Sequence, residues 1–124
     1  MQYSKIVMDH FKNPHNQGVI KNADGVGETG NPMCGDMMKV YIKVKDDKII
    51  DIKFETLGCA AAIACSSILT DMAKGQPLEK AKNISKADIV KKLGNLPTSK
   101  IHCSVLAHEA LAEAIYNYQS KVIN

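Results

Sequence analysis

Three cysteines are the chemically informative residues of this chain, and each sits in a short signature of its own. They are Asn31-Pro32-Met33-Cys34-Gly35-Asp36, Leu57-Gly58-Cys59-Ala60-Ala61 and Ile101-His102-Cys103-Ser104. They lie 25 and 44 residues apart, so only a folded chain can bring them together. Glycine beside a cysteine lets the backbone come close to an inorganic core, and a helix N-terminus favours the thiolate, the form that binds metal or attacks sulfur. Cys59 follows Gly58 at an expected strand-to-helix junction. Cys103 precedes Ser104, an expected N-cap, and should gain the same electrostatic help. A buried structural cysteine belongs inside an apolar run, whereas these three fall at element edges. The pattern points to an iron–sulfur or zinc site.

Three thiolates leave such a site one ligand short. Asp36, just after Cys34, and His102, adjacent to Cys103, could each supply the fourth. Carboxylate and imidazole are harder ligands for iron than thiolate, which suits a centre that is built and given away. Cys65 falls on the apolar stripe of the helix expected after Cys59 and reads as a small core residue. His10, His15 and His108 have no cysteine context and are placed outside the site, with His10 on the inner side of its helix and His108 at the surface. No Cys-x-x-Cys occurs, which argues against a dithiol redox enzyme.

The elements that must position these residues follow from periodicity. Tyr3 to Lys12 reads as a short helix stopped by Asn13-Pro14. Residues 14–33 read as a long, mobile loop with at most a short strand near Gly25–Thr29. Met38, Val40, Ile42 and Val44 alternate with polar residues, as do Ile50, Ile52 and Phe54, and Asp46-Asp47 between them makes a hairpin. After Gly58 the period becomes helical, with Cys65, Ile68, Leu69 and Met72 on one face and Gly75 and Pro77 closing the helix. Shorter helices are expected at Leu78–Lys82 and from Ser85 to Gly94, and a last one from about Ser104 to Ser120. Strands first and helices later give an α+β fold: a small, about three-stranded antiparallel sheet with helices packed on one face.

The 124 residues are 45% hydrophobic and 23% charged, as expected for one soluble globular domain spanning 1–124. No apolar run approaches the roughly 20 residues of a membrane span. Met1 to Phe11 mixes Lys5, Asp9 and His10 into its apolar residues and is no secretory signal. The cysteines are therefore expected in a cytoplasmic setting, for metal or catalysis rather than disulfides. The net charge of +3 rests on sixteen basic residues, all lysine. Without Arg or Trp, nucleic acid is not an expected partner. Lys39, Lys43, Lys45, Lys48 and Lys53 form a basic stripe on the hairpin, read as a solvated sheet edge or a docking surface for an acidic protein.

Together these motifs resemble the IscU-type iron–sulfur cluster assembly scaffolds, also found as the N-terminal part of NifU. The resemblance rests on Tyr3-Ser4, Asp9-His10, Asn13-Pro14-His15-Asn16-Gln17-Gly18 and the three cysteine motifs, the last with Leu106-Ala107, and it covers nearly the whole chain in order. It implies a non-enzymatic scaffold carrying a transient [2Fe–2S] cluster on Cys34, Cys59 and Cys103, with Asp36 and His102 as additional ligands. Cys103 would be the persulfide acceptor. Implied partners are a cysteine desulfurase, an iron source, an electron donor such as a ferredoxin, and apo iron–sulfur proteins, with a homodimer as one assembly. Leu96-Pro97-Thr98-Ser99-Lys100 departs from the Leu-Pro-Pro-Val-Lys segment on which a dedicated Hsp70 docks, so the likeness does not extend to that chaperone. The related SufU-type zinc proteins, which accept sulfur from a desulfurase, carry an insertion that the 44-residue spacing from Cys59 to Cys103 lacks. They remain the alternative, and zinc could fill the site when no cluster does.

Overall fold

Alternating apolar residues and a two-residue turn build the centre of the sheet. In the computed structural model, which describes residues 3–31 and 36–123, β2 (Asp36–Lys45) and β3 (Lys48–Leu57) form an antiparallel hairpin. Asp46 and Asp47 both take positive φ, 53° and 60°, the primed turn whose twist matches that of the strands. Met38, Val40, Ile42, Ile52 and Phe54 point inward and are buried. The register pairs Val44 with Ile49 and Lys43 with Asp51, leaving Ile50 as an extra residue. This bulge turns Ile49 into the core and leaves Ile50 half exposed. The alternation predicted Ile50 on the inner face, and the bulge reverses it.

β1 (Gly25–Asn31) completes the sheet, in the order β1-β2-β3. Only a fragment of strand was expected here. Its glycines explain the difference, because they serve packing rather than turning. A Cβ on Gly27 would stand 2.0 Å from the Ala110 carbonyl oxygen, and one on Gly25 2.2 Å from that of Ala114. The missing side chains let the final helix lie directly on the strand, so no apolar alternation marks it.

Segment 13–18, expected to be part of a mobile loop, is tied down along the free edge of β3. The Phe54 amide donates to the Asn16 carbonyl at 2.9 Å, and the Gly18 amide donates to the Phe54 carbonyl at 2.8 Å. The loop thereby covers an edge that would otherwise be open to pairing.

The helices are α1 (Lys5–Lys12), α2 (Ala60–Ala73), α3 (Leu78–Lys82), α4 (Lys86–Lys92) and α5 (Ile101–Ile123), with a 3-10 turn at Thr98–Lys100. Ser4 caps α1 by accepting from the Val7 amide and donates its own hydroxyl to the Leu93 carbonyl at the end of α4. α4 begins with a Ser85–Asp88 capping box. α5 packs on β1 and β2 while α2 packs on β3, α1 and α5. α2 is more deeply placed than its amphipathic pattern predicts. Ala61, Ala62, Ala64, Cys65, Ser66, Ser67, Leu69, Thr70 and Ala73 are all buried, whereas Ile68 and Met72 are only partly so. Small residues let neighbouring elements close in on several sides, and a hydrophobicity pattern under-reports them.

On the outer face of the sheet, Lys39, Tyr41 and Lys43 stand opposite Glu55, Lys53 and Asp51. The lysine stripe is thus interleaved with acids rather than continuous. Tyr41 is 7% exposed, with its hydroxyl donating to Glu55 and the Lys39 ammonium 5.5 Å from its ring centroid.

Candidate functional site

α2 and α5 meet so that Cys59 and Cys103 face one another. Cys59 is the N-cap of α2, with extended backbone (φ −85°). Its sulfur caps no amide through a formed hydrogen bond, so the N–H groups at the helix start act as close dipoles. Burial works to raise the Cys59 thiol. The amides of Ala62 and Ala61, the Lys100 ammonium and the Cys103 thiol outweigh it, and the Cys59 pKa lies below its ordinary value.

Cys103 is the opposite case. The Ser104 N-cap expected from the sequence does not form: α5 already begins at Ile101, and the Ser104 hydroxyl donates to the Ile101 carbonyl from inside the helix. Cys103 lies within the first turn and is fully buried. Burial first, then the negative Cys59 and Asp36, push its thiol up to about 12. The expected electrostatic help to Cys103 is therefore corrected. The two thiols are thus pushed in opposite directions, Cys59 down and Cys103 up.

Two further groups converge here from α5 and the start of β2. His102 Nε2 lies 3.7 Å from the Cys103 sulfur and 3.3 Å from the Asp36 carboxylate. His102 is half exposed on its side chain, and Asp36 somewhat less. The structure thus brings Asp36, Cys59, His102 and Cys103 to one end of the molecule. Cys34, with Pro32, Met33 and Gly35, lies outside the described residues. Cys65 is fully buried in the core cluster, and burial drives its thiol pKa strongly upward, in keeping with its reading as a packing residue.

The sequence reading missed two neighbours of Cys59. Lys100, partly buried at the end of the 3-10 turn, has its pKa raised chiefly by the charge of Cys59. Tyr3 lies near the same sulfur, and burial followed by Cys59 raises its pKa. The available signal was their place in conspicuous segments, Tyr3-Ser4 and Ser99-Lys100, though nothing in those segments specifies a contact with Cys59. His108, expected at the surface, is partly buried, with Nδ1 2.7 Å from the Ile84 carbonyl to which it donates. His10 is 8% exposed on the inner side of α1, as expected.

Relatives agree with this architecture. The chain belongs to the family of NifU-like N terminal domains, which it matches over residues 2–124. It is 57% identical over 119 residues to an iron–sulfur cluster assembly scaffold protein IscU of Archaeoglobus fulgidus, covering 96% of this chain and 78% of that one. It is 49% identical over 125 residues to the IscU scaffold protein of Escherichia coli K12, covering 98% and 97%. Among solved structures, it resembles a candidate iron–sulfur cluster assembly scaffold for the SUF system (FiSufU) from Fervidobacterium islandicum AW-1. That likeness has a TM-score of 0.75 at 26% identity, over 91% of this chain and 96% of that one.

Proposed function

We infer that this chain is a scaffold on which a transient [2Fe–2S] cluster is assembled and from which it is handed to apo-proteins. The observation that carries the reading is the convergence of Cys103, His102 and Asp36 beside Cys59, with the Cys59 thiol pKa below its ordinary value and that of Cys103 above it. Cys34, Cys59 and Cys103 hold the cluster, with Asp36 or His102 as the weaker fourth ligand.

Iron is attracted first to Cys59, whose thiolate form the site favours over that of Cys103. Its positive charge then favours loss of the Cys103 proton, since binding to a thiol site releases protons. His102 Nε2 stands between Cys103 and Asp36 and can take that proton. Sulfur arrives at Cys103 as a persulfide from a cysteine desulfurase. The Cys103 thiolate attacks the outer sulfur and frees the desulfurase thiolate, and an electron donor such as a ferredoxin reduces the bound sulfur to sulfide. Because Cys103 is buried, this step needs the first turn of α5 to open. The protein itself turns over no small molecule. Among the described residues no helix is long and apolar enough to cross a membrane, and a cytoplasmic role fits these partners.

The alternative, a zinc-bound sulfur acceptor, rests on a donor set of cysteine, histidine and aspartate that also suits zinc. Anaerobic reconstitution with ferrous iron, cysteine, reduced ferredoxin as electron donor and a catalytic amount of desulfurase separates the two. A scaffold gains equal iron and acid-labile sulfide with the visible bands of a [2Fe–2S] centre. A protein that stays colourless, retains zinc and carries only persulfide would replace the scaffold reading with the zinc one.

A further inference from the structure

At the far end of α2 from the cysteines, three side chains converge that the scaffold reading does not use. His10 closes α1, His15 lies in the loop beyond it, and Asp71 stands on α2 twelve positions after Cys59. At 1.5 Å per residue this is about 18 Å along the helix. One ligand atom from each of His10, His15 and Asp71 lies within 4.8 Å of the other two, the one set of three among the described residues that does so. The two imidazole centroids are 4.7 Å apart and tilted by 51°.

The surroundings are arranged as a metal-ligand support would be. Ser67 Oγ accepts from the His15 amide at 2.8 Å and lies 2.7 Å from His10 Nδ1. A hydroxyl oxygen has two lone pairs, so it can accept from His10 Nδ1–H as well, which leaves Nε2 as the bare nitrogen. Nε2 has no hydrogen-bond partner among the described residues although the ring is 8% exposed. The Asn16 amide group donates to Asp71 Oδ1 at 3.0 Å and to Thr70 Oγ1 at 3.1 Å. Asp71 Oδ2 is turned to His15 Nδ1 at 2.6 Å. Hydrogen bonds from an imidazole's second nitrogen and to a ligating carboxylate are what fix ligand orientation in metal sites.

We propose that His10, His15 and Asp71 form a second metal site, separate from the cysteines, that takes a zinc-class divalent transition ion. Two imidazoles and one carboxylate provide three protein ligands, and the exposed side of His15 and Asp71 leaves the fourth position to water. The ion clips the end of α1 and the loop after it to α2. The other end of α1 carries Ser4 and, just before it, Tyr3, which reaches Cys59. A clip at His10 therefore steadies the helix whose opposite end touches the cysteine site.

The test uses the full chain with Cys34, Cys59 and Cys103 all changed to Ser, titrated with cobalt(II) and then zinc(II). One equivalent of cobalt should bind with the visible bands of nitrogen–oxygen coordination, without sulfur charge transfer, and zinc should displace it. Adding Asp71→Asn or His15→Ala should weaken binding at least tenfold. No cobalt uptake, or uptake that both substitutions leave unchanged, overturns the proposal. The parent chain provides a second measurement that does not depend on the triple variant folding. It should take up one more equivalent of zinc than its Asp71→Asn variant, and equal uptake by the two refutes the site.

Discussion

Alkylating the chelator-stripped protein near neutral pH should label Cys59 long before Cys103. The Cys103 thiol is pushed up to about 12, and that of Cys59 lies below 9.0, so the gap is at least 12 − 9.0 = 3. Below both values, three units correspond to a roughly thousandfold difference in thiolate fraction. A less acidic thiol gives a more nucleophilic anion. With the Brønsted slope of thiol–disulfide exchange, about 0.4–0.5, this returns a factor of about 15–30 to Cys103. The net advantage of Cys59 is about 30- to 60-fold before sterics, and the complete burial of Cys103 widens it. Iodoacetamide time courses with peptide mapping by mass spectrometry measure both rates in one sample, and Cys34 is read from its own peptide. Lys100→Met should slow the labelling of Cys59, whose negative charge the ammonium favours. If Cys103 reacts as fast as Cys59, the first turn of α5 is open in solution, and the polarised pair is not the state that meets the metal.

Four substitutions probe the rest. Gly27→Ala places a methyl against the Ala110 carbonyl and the Ala114 amide and should cost about 3 kcal/mol or more in chemical denaturation; a loss below about 1 kcal/mol would contradict the close contact of β1 and α5. Cys65→Ser should keep cluster assembly but lower stability by about 1–3 kcal/mol, since it buries a hydroxyl on the core face of α2; bleaching of the reconstituted protein would reassign Cys65 to the site. The Ser66 hydroxyl is buried without a hydrogen-bond partner among the described residues, so Ser66→Ala should raise stability by about 1 kcal/mol, and a clear loss would reveal a partner in solution. Asp36→Ala should make the cluster last longer in air and pass more slowly to an apo-ferredoxin, followed by visible absorbance; faster loss both with and without recipient would reject Asp36 as the group that keeps the cluster exchangeable.

Much of this was legible in the sequence, and the failures share a cause. The β2–β3 hairpin follows from alternation and from the two aspartates at its turn. The helix starts at Ser85 and after Gly58 follow from capping chemistry. β1 was under-read because Gly25 and Gly27 are chosen for the approach of α5, a contact distant in sequence. The buried faces of α2 were under-read because Ala and Ser pack closely without raising hydrophobicity. At the site, the spacing and types of Asp36, Cys59, His102 and Cys103 were enough to propose that they meet, and the fold joins them. What the sequence could not show is which sulfur carries the charge. That depends on α5 starting at Ile101 rather than Ser104, a shift that moves Cys103 from a helix mouth into a buried first turn.

That shift gives the two sulfurs different work. A site whose thiols were all acidic would hold several negative charges close together before any metal came, and like charges in a partly buried place are costly. Here the amides of α2 and Lys100 favour charge at Cys59, while burial disfavours it at the neighbouring Cys103. The arrangement limits negative charge in the metal-free fold while making one sulfur the easier to ionise. It also couples loading to local structure, because Cys103 cannot become an open, charged ligand without loosening the helix turn that also carries His102. A scaffold that must both build and release its cluster would gain from that coupling: on the proposed route, the turn that opens for sulfur would favour the neutral, buried thiol again when the cluster leaves. A donor protein that kept the turn of α5 open would hold the cluster on the scaffold, whereas a recipient that let it close would draw the cluster off.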